Sequence, residues 1–94
     1  MPYINQEQRK KFDKLVDHLV MELMHTDSGE KRAEPIAGQI NYVISRLIWK
    51  IFDEHSSYAR ANELMGVLQG VQAEFYRRKV GPYEDGAIER NGDI

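Results

Sequence analysis

Apolar residues recur at intervals of three and four along most of this chain, the spacing of helices with one buried face. Phe12, Leu15, Val16, Leu19, Val20 and Leu23 form the first such stripe. Asn5 precedes it and Gln8 follows three residues later, a capping-box spacing, so a helix is predicted over about 6–25. Asp27-Ser28-Gly29 is a turn cluster that should end it. Past the polar linker 30–34, a second helix is predicted over about 36–54. It starts between Pro35, suited to a first helical position, and Gly38, an acceptable cap. Its stripe is Ile36, Ile40, Val43, Ile44, Leu47, Ile48 and Ile51. The β-branched residues would suit a strand, but the length and the spacing favour a helix. Ser57 is placed to cap a third helix over about 58–80, with Ala61, Leu64, Met65, Leu68, Val71 and Phe75 facing inward.

Gly81-Pro82 reads as the stop of that helix, because glycine turns the chain and proline cannot continue it. The remainder, 81–94, carries two turn signals, Asp85-Gly86 and Asn91-Gly92, and is predicted to be irregular. Tyr83 and Ile88 could lay it across the helices. The expected fold is all-α: one three-helix bundle-like domain over 1–94 with an irregular C-terminal tail, completed by oligomerisation.

Oligomerisation enters because two helices have a second face. Tyr42, Arg46, Trp49 and Asp53 line up opposite the apolar stripe of the second helix, where Arg46 could stack on either aromatic ring. Trp, Tyr and Arg are the residue types enriched at interface hot spots. On the third helix, Asn62, Gly66, Gly70 and Ala73 make a smooth strip. Each helical glycine costs roughly 1 kcal/mol relative to alanine, and close approach of another helix would offset that. The tail or another helix of the chain could cover these faces, and so could a second subunit.

Composition narrows the classes. The chain has 94 residues, enough for one small core, with 30% charged and 41% apolar residues. The net charge of −2, with both signs mixed, argues against wholesale binding to nucleic acid or membrane surfaces. The absence of cysteine removes disulfides, zinc–thiolate sites and thiol catalysis. No apolar leader or span is evident, so a cytoplasmic location is expected.

Candidate chemistry is sparse. His18, Glu22 and His25 share a face of the first helix and are all metal-ligating types, but that face points to solvent and the order is not that of the His-Glu-x-x-His motif. Glu63, Glu74 and Arg77 could form the polar wall of a ligand groove beside the glycine strip. This would suit a degenerate nucleotide- or metal-binding protein in the style of small all-α pyrophosphohydrolases. Those enzymes hold magnesium through carboxylates three or four residues apart on two helices, and Glu-x-x-Glu and Glu-x-x-Asp are missing here. No nucleophile context or phosphate-binding glycine loop occurs. Arg77-Arg78-Lys79 is the densest basic run and could touch a phosphate backbone, although positive charge also complements a helix C-terminus. No catalytic residue and no cofactor are expected.

Several segments resemble a family of short bacterial and bacteriophage proteins of unknown function. They are Asn41–Leu47, Asn62–Leu68, Glu74–Arg78, Pro82–Asp85, Asn91–Asp93 and the opening Met1–Ile4. The resemblance spans most of the chain and departs most between His25 and Ala37. It implies no activity. The functional expectation is therefore a non-enzymatic helical module. It self-associates as a homodimer through Tyr42, Arg46 and Trp49 or through Gly66 and Gly70, and offers a protein partner a composite surface. Nucleic-acid association is a weaker alternative.

Overall fold

The computed structural model describes residues 3–25, 28–31 and 37–94. The elements are helical, with α1 at Gln6–Met24, α2 at Ala37–Glu54, α3 at Tyr58–Phe75 and, after a π-helical turn at Tyr76–Val80, α4 at Gly81–Asn91. The backbone is helical without interruption from 58 to 91, so three helical segments follow one another and the fold is all-α. The chain divides into two compact units, Tyr3–Ser56 and Ser57–Ile94.

Local chemistry accounts for the helix starts. The Asn5 side chain accepts from the Gln8 backbone N–H at 2.9 Å, and Gln8 Oε1 accepts from the Asn5 N–H at 3.1 Å. Two backbone donors that the first turn leaves unpaired are thereby satisfied, completing the capping box. Ser57 Oγ does the same for the Arg60 N–H at 3.0 Å and begins α3. After α1, the chain reverses through Ser28-Gly29 and makes an isolated antiparallel bridge between His25 and Lys31. Asp27 and Pro35, to which the sequence assigned boundary roles, and Ile36, placed in the stripe of the second helix, lie outside the described residues.

Gly81-Pro82 does not stop the third helix, and the segment after it is not irregular. In an α-helix Pro82 would have no N–H to give and its ring would strike the carbonyl of Arg78, at a cost of ~3 kcal/mol or more. Widening one turn avoids this. The Gly81 N–H donates to the Tyr76 carbonyl, five residues back, and Pro82 falls in the first turn of α4, where an N–H is not required. The widened turn brings backbone close to backbone. A Cβ on Gly81 would lie 3.2 Å from the Tyr76 carbonyl oxygen, so the position favours glycine. Asp85-Gly86 sits inside α4, whereas Asn91-Gly92 does end the helix. Gly92, at φ 88°, donates its N–H to the Ile88 carbonyl at 2.7 Å.

The apolar stripes behave differently from the expectation of a core. Among the described residues Leu64 is the one buried hydrophobic, at 9% exposure. On α1, Phe12, Leu15, Val16, Leu19 and Val20 are exposed, from 39% at Leu19 to 66% at Leu15, and Leu23 is partly covered. Ile44, Leu47 and Ile51 on α2 and Met65, Leu68, Val71 and Phe75 on α3 are likewise exposed. The helices form through their caps and periodicity, but their inward faces remain largely open to water.

Candidate interaction surface

On α2, Tyr42 and Trp49 are 64% and 61% exposed, Arg46 is half-buried and Asp53 is exposed. At about 100° per residue the four fall within about 60° of one another, so they form a single line along the helix. Arg46 makes no cation–π contact among the described residues, so the expected stacking on Tyr42 or Trp49 does not occur within the chain. Such contacts instead join Lys11 to the Phe12 ring at 5.3 Å and Arg90 to the Tyr83 ring at 5.9 Å. Below this line, Ser45 Oγ donates to Asn41 Oδ1 at 3.2 Å and ties two polar side chains along the flank.

Tyr42 also reaches a feature that periodicity did not reveal. Within the Tyr3–Ser56 unit, an open cleft of about 350 Å³ lies between the end of α1 and the start of α2. Leu19, Leu23, Tyr42 and Val43 give it apolar walls, and Glu22, Gly38 and Gln39 complete the rim. The only sequence signal for it is the small residue Gly38 opposite the last leucines of α1, and that signal is too general to predict a cleft.

The glycine strip is uncovered as well. A Cβ built on Gly66 or on Gly70 would meet nothing within 4 Å. Neither glycine is therefore needed for a contact among the described residues, and the helix-propensity cost of both is not offset there.

The other candidates do not assemble. His18 Nε2 approaches Glu22 Oε1 at 3.7 Å on an exposed face, but His25 turns its ring nitrogen Nδ1 to the Met21 carbonyl at 2.9 Å. Among the described residues no three His, Asp or Glu side chains converge as a metal site would require. Glu74 is held by Arg77 in a forked pair, with Nη2 to Oε2 at 2.8 Å and Nε to Oε1 at 3.3 Å. Glu63 faces Arg60 at 3.9 Å. At ~1.5 Å per residue the two glutamates are about 16 Å apart along the helix, so they do not share a ligand wall with Arg77. The fork also commits Arg77, one member of the basic run, to a carboxylate.

The π turn contributes one further arrangement. The Tyr76 hydroxyl donates to Glu84 Oε1 at 2.5 Å, spanning the turn from one side to the other. That hydrogen bond, and then the negative charge of Glu84, hold the Tyr76 phenol above the ordinary tyrosine pKa of 10.0. The signal available in the sequence was Pro82 followed by helix-favouring Glu84, Ala87, Glu89 and Arg90, a combination better suited to a widened turn than to a stop.

No helix among the described residues is long and apolar enough to cross a membrane. The chain belongs to the family described as Domain of unknown function (DUF6899), whose profile matches residues 1–94. No curated protein and no solved structure matches it.

Proposed function

With membership in a family whose description assigns no activity as the premise, we propose from the geometry that this chain is a non-enzymatic helical module that functions by self-association. A dimer is the simplest assembly, and its composite surface would serve a protein partner. The observation that carries this reading is the exposure of apolar stripes on α1, α2 and α3 while Leu64 alone is buried among the described residues.

The magnitudes favour more than one covered stripe. Fully burying a Val, Leu or Phe side chain contributes roughly 1.5–3 kcal/mol. Phe12, Leu15, Val16, Leu19 and Val20 are about half open, so covering them would contribute about 4–8 kcal/mol per copy. Association costs an estimated 4–15 kcal/mol in lost rigid-body freedom, so one stripe roughly balances that cost. The further apolar area on α2 and α3 moves the balance toward a stable assembly.

Sedimentation equilibrium on the purified chain across the micromolar range tests the reading. The expected result is a mass that rises with concentration toward a dimer. A mass fixed at 11.0 kDa throughout would refute it. Nothing in the arrangement of Glu63, Glu74 and Arg77 favours a nucleotide site as a second reading, since the carboxylates are separated and individually paired.

A further inference from the structure

We propose that Asn91-Gly92 is a deamidation site of the folded chain, and that the last turn of α4 sets its rate. Asparagine is among the thermally labile residue types. The chain has four asparagines, and Asn91 is the one followed by glycine. Asn5 Oδ1 accepts from the Gln8 N–H and Asn41 Oδ1 accepts from Ser45 Oγ, so both of those side chains are engaged. Asn62 lies inside α3 and is followed by Glu63. Asn91 is exposed and is the last residue of α4.

The following glycine matters because the attacking group is the backbone nitrogen of the next residue. Residue 92 has no Cβ to shield that nitrogen. Solvent hydroxide removes its proton, and the nitrogen attacks Cγ of Asn91. The N–Cγ bond forms, the Cγ–Nδ2 bond breaks, and the leaving nitrogen takes a proton from water to depart as ammonia. Water then opens the cyclic imide at one of its two carbonyls. Opening at Cγ gives aspartate. Opening at the main-chain carbonyl gives isoaspartate, with the backbone rerouted through the side chain. By either route an amide becomes a carboxylate, water is consumed and ammonia is released. The Asn91-Gly92 bond borders an open hollow of about 400 Å³ beside Ile88 and Ile94, so water and hydroxide reach it.

The fold opposes the first step. The Gly92 N–H donates to the Ile88 carbonyl at 2.7 Å, which occupies the nitrogen that would attack. Helical backbone at Asn91 also tilts its side chain toward the helix N-terminus, away from residue 92. Attack therefore waits for the last turn to open, and helix ends are where opening is easiest. Holding one hydrogen bond of this kind corresponds to a roughly two- to tenfold smaller open population. The reaction then runs one way. A carboxylate at position 91 adds negative charge at the carbonyl end of α4, which the helix dipole disfavours. The isoaspartyl link also inserts a methylene before the Gly92 nitrogen, which breaks its register with Ile88.

Incubating the full chain in buffer and in concentrated urea, each over a range of pH, and mapping its peptides by mass spectrometry tests this. The modified peptide is heavier by the difference between water and ammonia. In buffer the gain should appear on the peptide holding Asn91 before any peptide holding Asn5, Asn41 or Asn62, and Asn91→Gln should abolish it. The rate should rise with pH, because the attacking nitrogen must first lose its proton. Urea should speed the reaction by roughly two- to tenfold or more. Ala87→Gly weakens the helix one turn earlier and should raise the rate in buffer toward the urea value. An Asn91 that stays intact in buffer, or reacts after another asparagine, overturns the site. A rate independent of pH overturns the route through the Gly92 nitrogen. Equal rates in buffer and in urea overturn the gating by α4, as does an Ala87→Gly rate no higher than that of the wild type.

Discussion

Replacing both Gly66 and Gly70 by alanine separates the intrinsic stability of α3 from any role of its glycine strip in association. The structure gives each new methyl group open space, with nothing within 4 Å of either Cβ. Steric cost is then absent and helix propensity decides the outcome. Alanine is favoured over glycine by about 0.8–1.0 kcal/mol per helical position, so the pair should stabilise the chain by about 2 kcal/mol. For a domain of this size, 1 kcal/mol corresponds to roughly 4–8 °C in Tm, which places the expected rise near 8–16 °C. Thermal melts followed by circular dichroism in dilute solution measure it, and sedimentation of the same variant at higher concentration adds the second readout. If the interface lies on α2, association of the double variant should match that of the wild type. Were another helix instead packed on the strip, each methyl would overpack that contact at about 1–3 kcal/mol and association would weaken. A lower Tm in dilute solution would refute the open-space reasoning. Intact stability with lost association would place the interface on the glycine strip of α3.

Three further outcomes test the local physics. Gly81→Ala should do the opposite of the α3 substitutions and destabilise by about 1 kcal/mol, because its Cβ would press on the Tyr76 carbonyl at 3.2 Å; a stabilised variant in chemical denaturation would show that the π turn can relax freely. Asn5→Ala removes the side-chain half of the capping box and should cost about 1 kcal/mol, read as fraying of 6–10 in amide hydrogen exchange; unchanged exchange there would contradict the capping account. The folded pKa of Tyr76 is raised, so the stability it contributes is fully present below pH 10.0 and is lost as pH rises through the higher folded value. Ultraviolet titration should therefore show a tyrosine component above the ordinary value of 10.0, and Glu84→Gln should lower it; a wild type and variant with identical titration curves would refute the Tyr76–Glu84 contact.

Helix starts were legible from the residues alone because caps act over three or four positions. Asn5 with Gln8 and Ser57 with the Arg60 N–H are contacts between near neighbours, and the residue types that make them are specific. The four-residue line on α2 was legible for the same reason, since a helix once formed dictates which side chains share a face. Gly81-Pro82 was misleading because the rule that proline ends a helix presumes an unbroken four-residue hydrogen-bond register. Here one turn changes register, and the contact between Tyr76 and Glu84 crosses it. His18, Glu22 and His25 share a helical face by count, yet a single backbone carbonyl captures the ring of His25 and disperses the set.

Periodicity, capping residues and the all-α class follow from interactions within a few residues, which is why this sequence determines them by itself. The tertiary structure decided which apolar faces are covered. The stripes on α1, α2 and α3 have the spacing of core faces, but spacing says only that a face favours cover and not whether the same chain supplies it. Burial depends on pairing between distant segments, each closure of which costs chain entropy that local pattern does not record. In this chain Leu64 alone is buried among the described residues, while apolar residues of the stripes on α1, α2 and α3 are exposed.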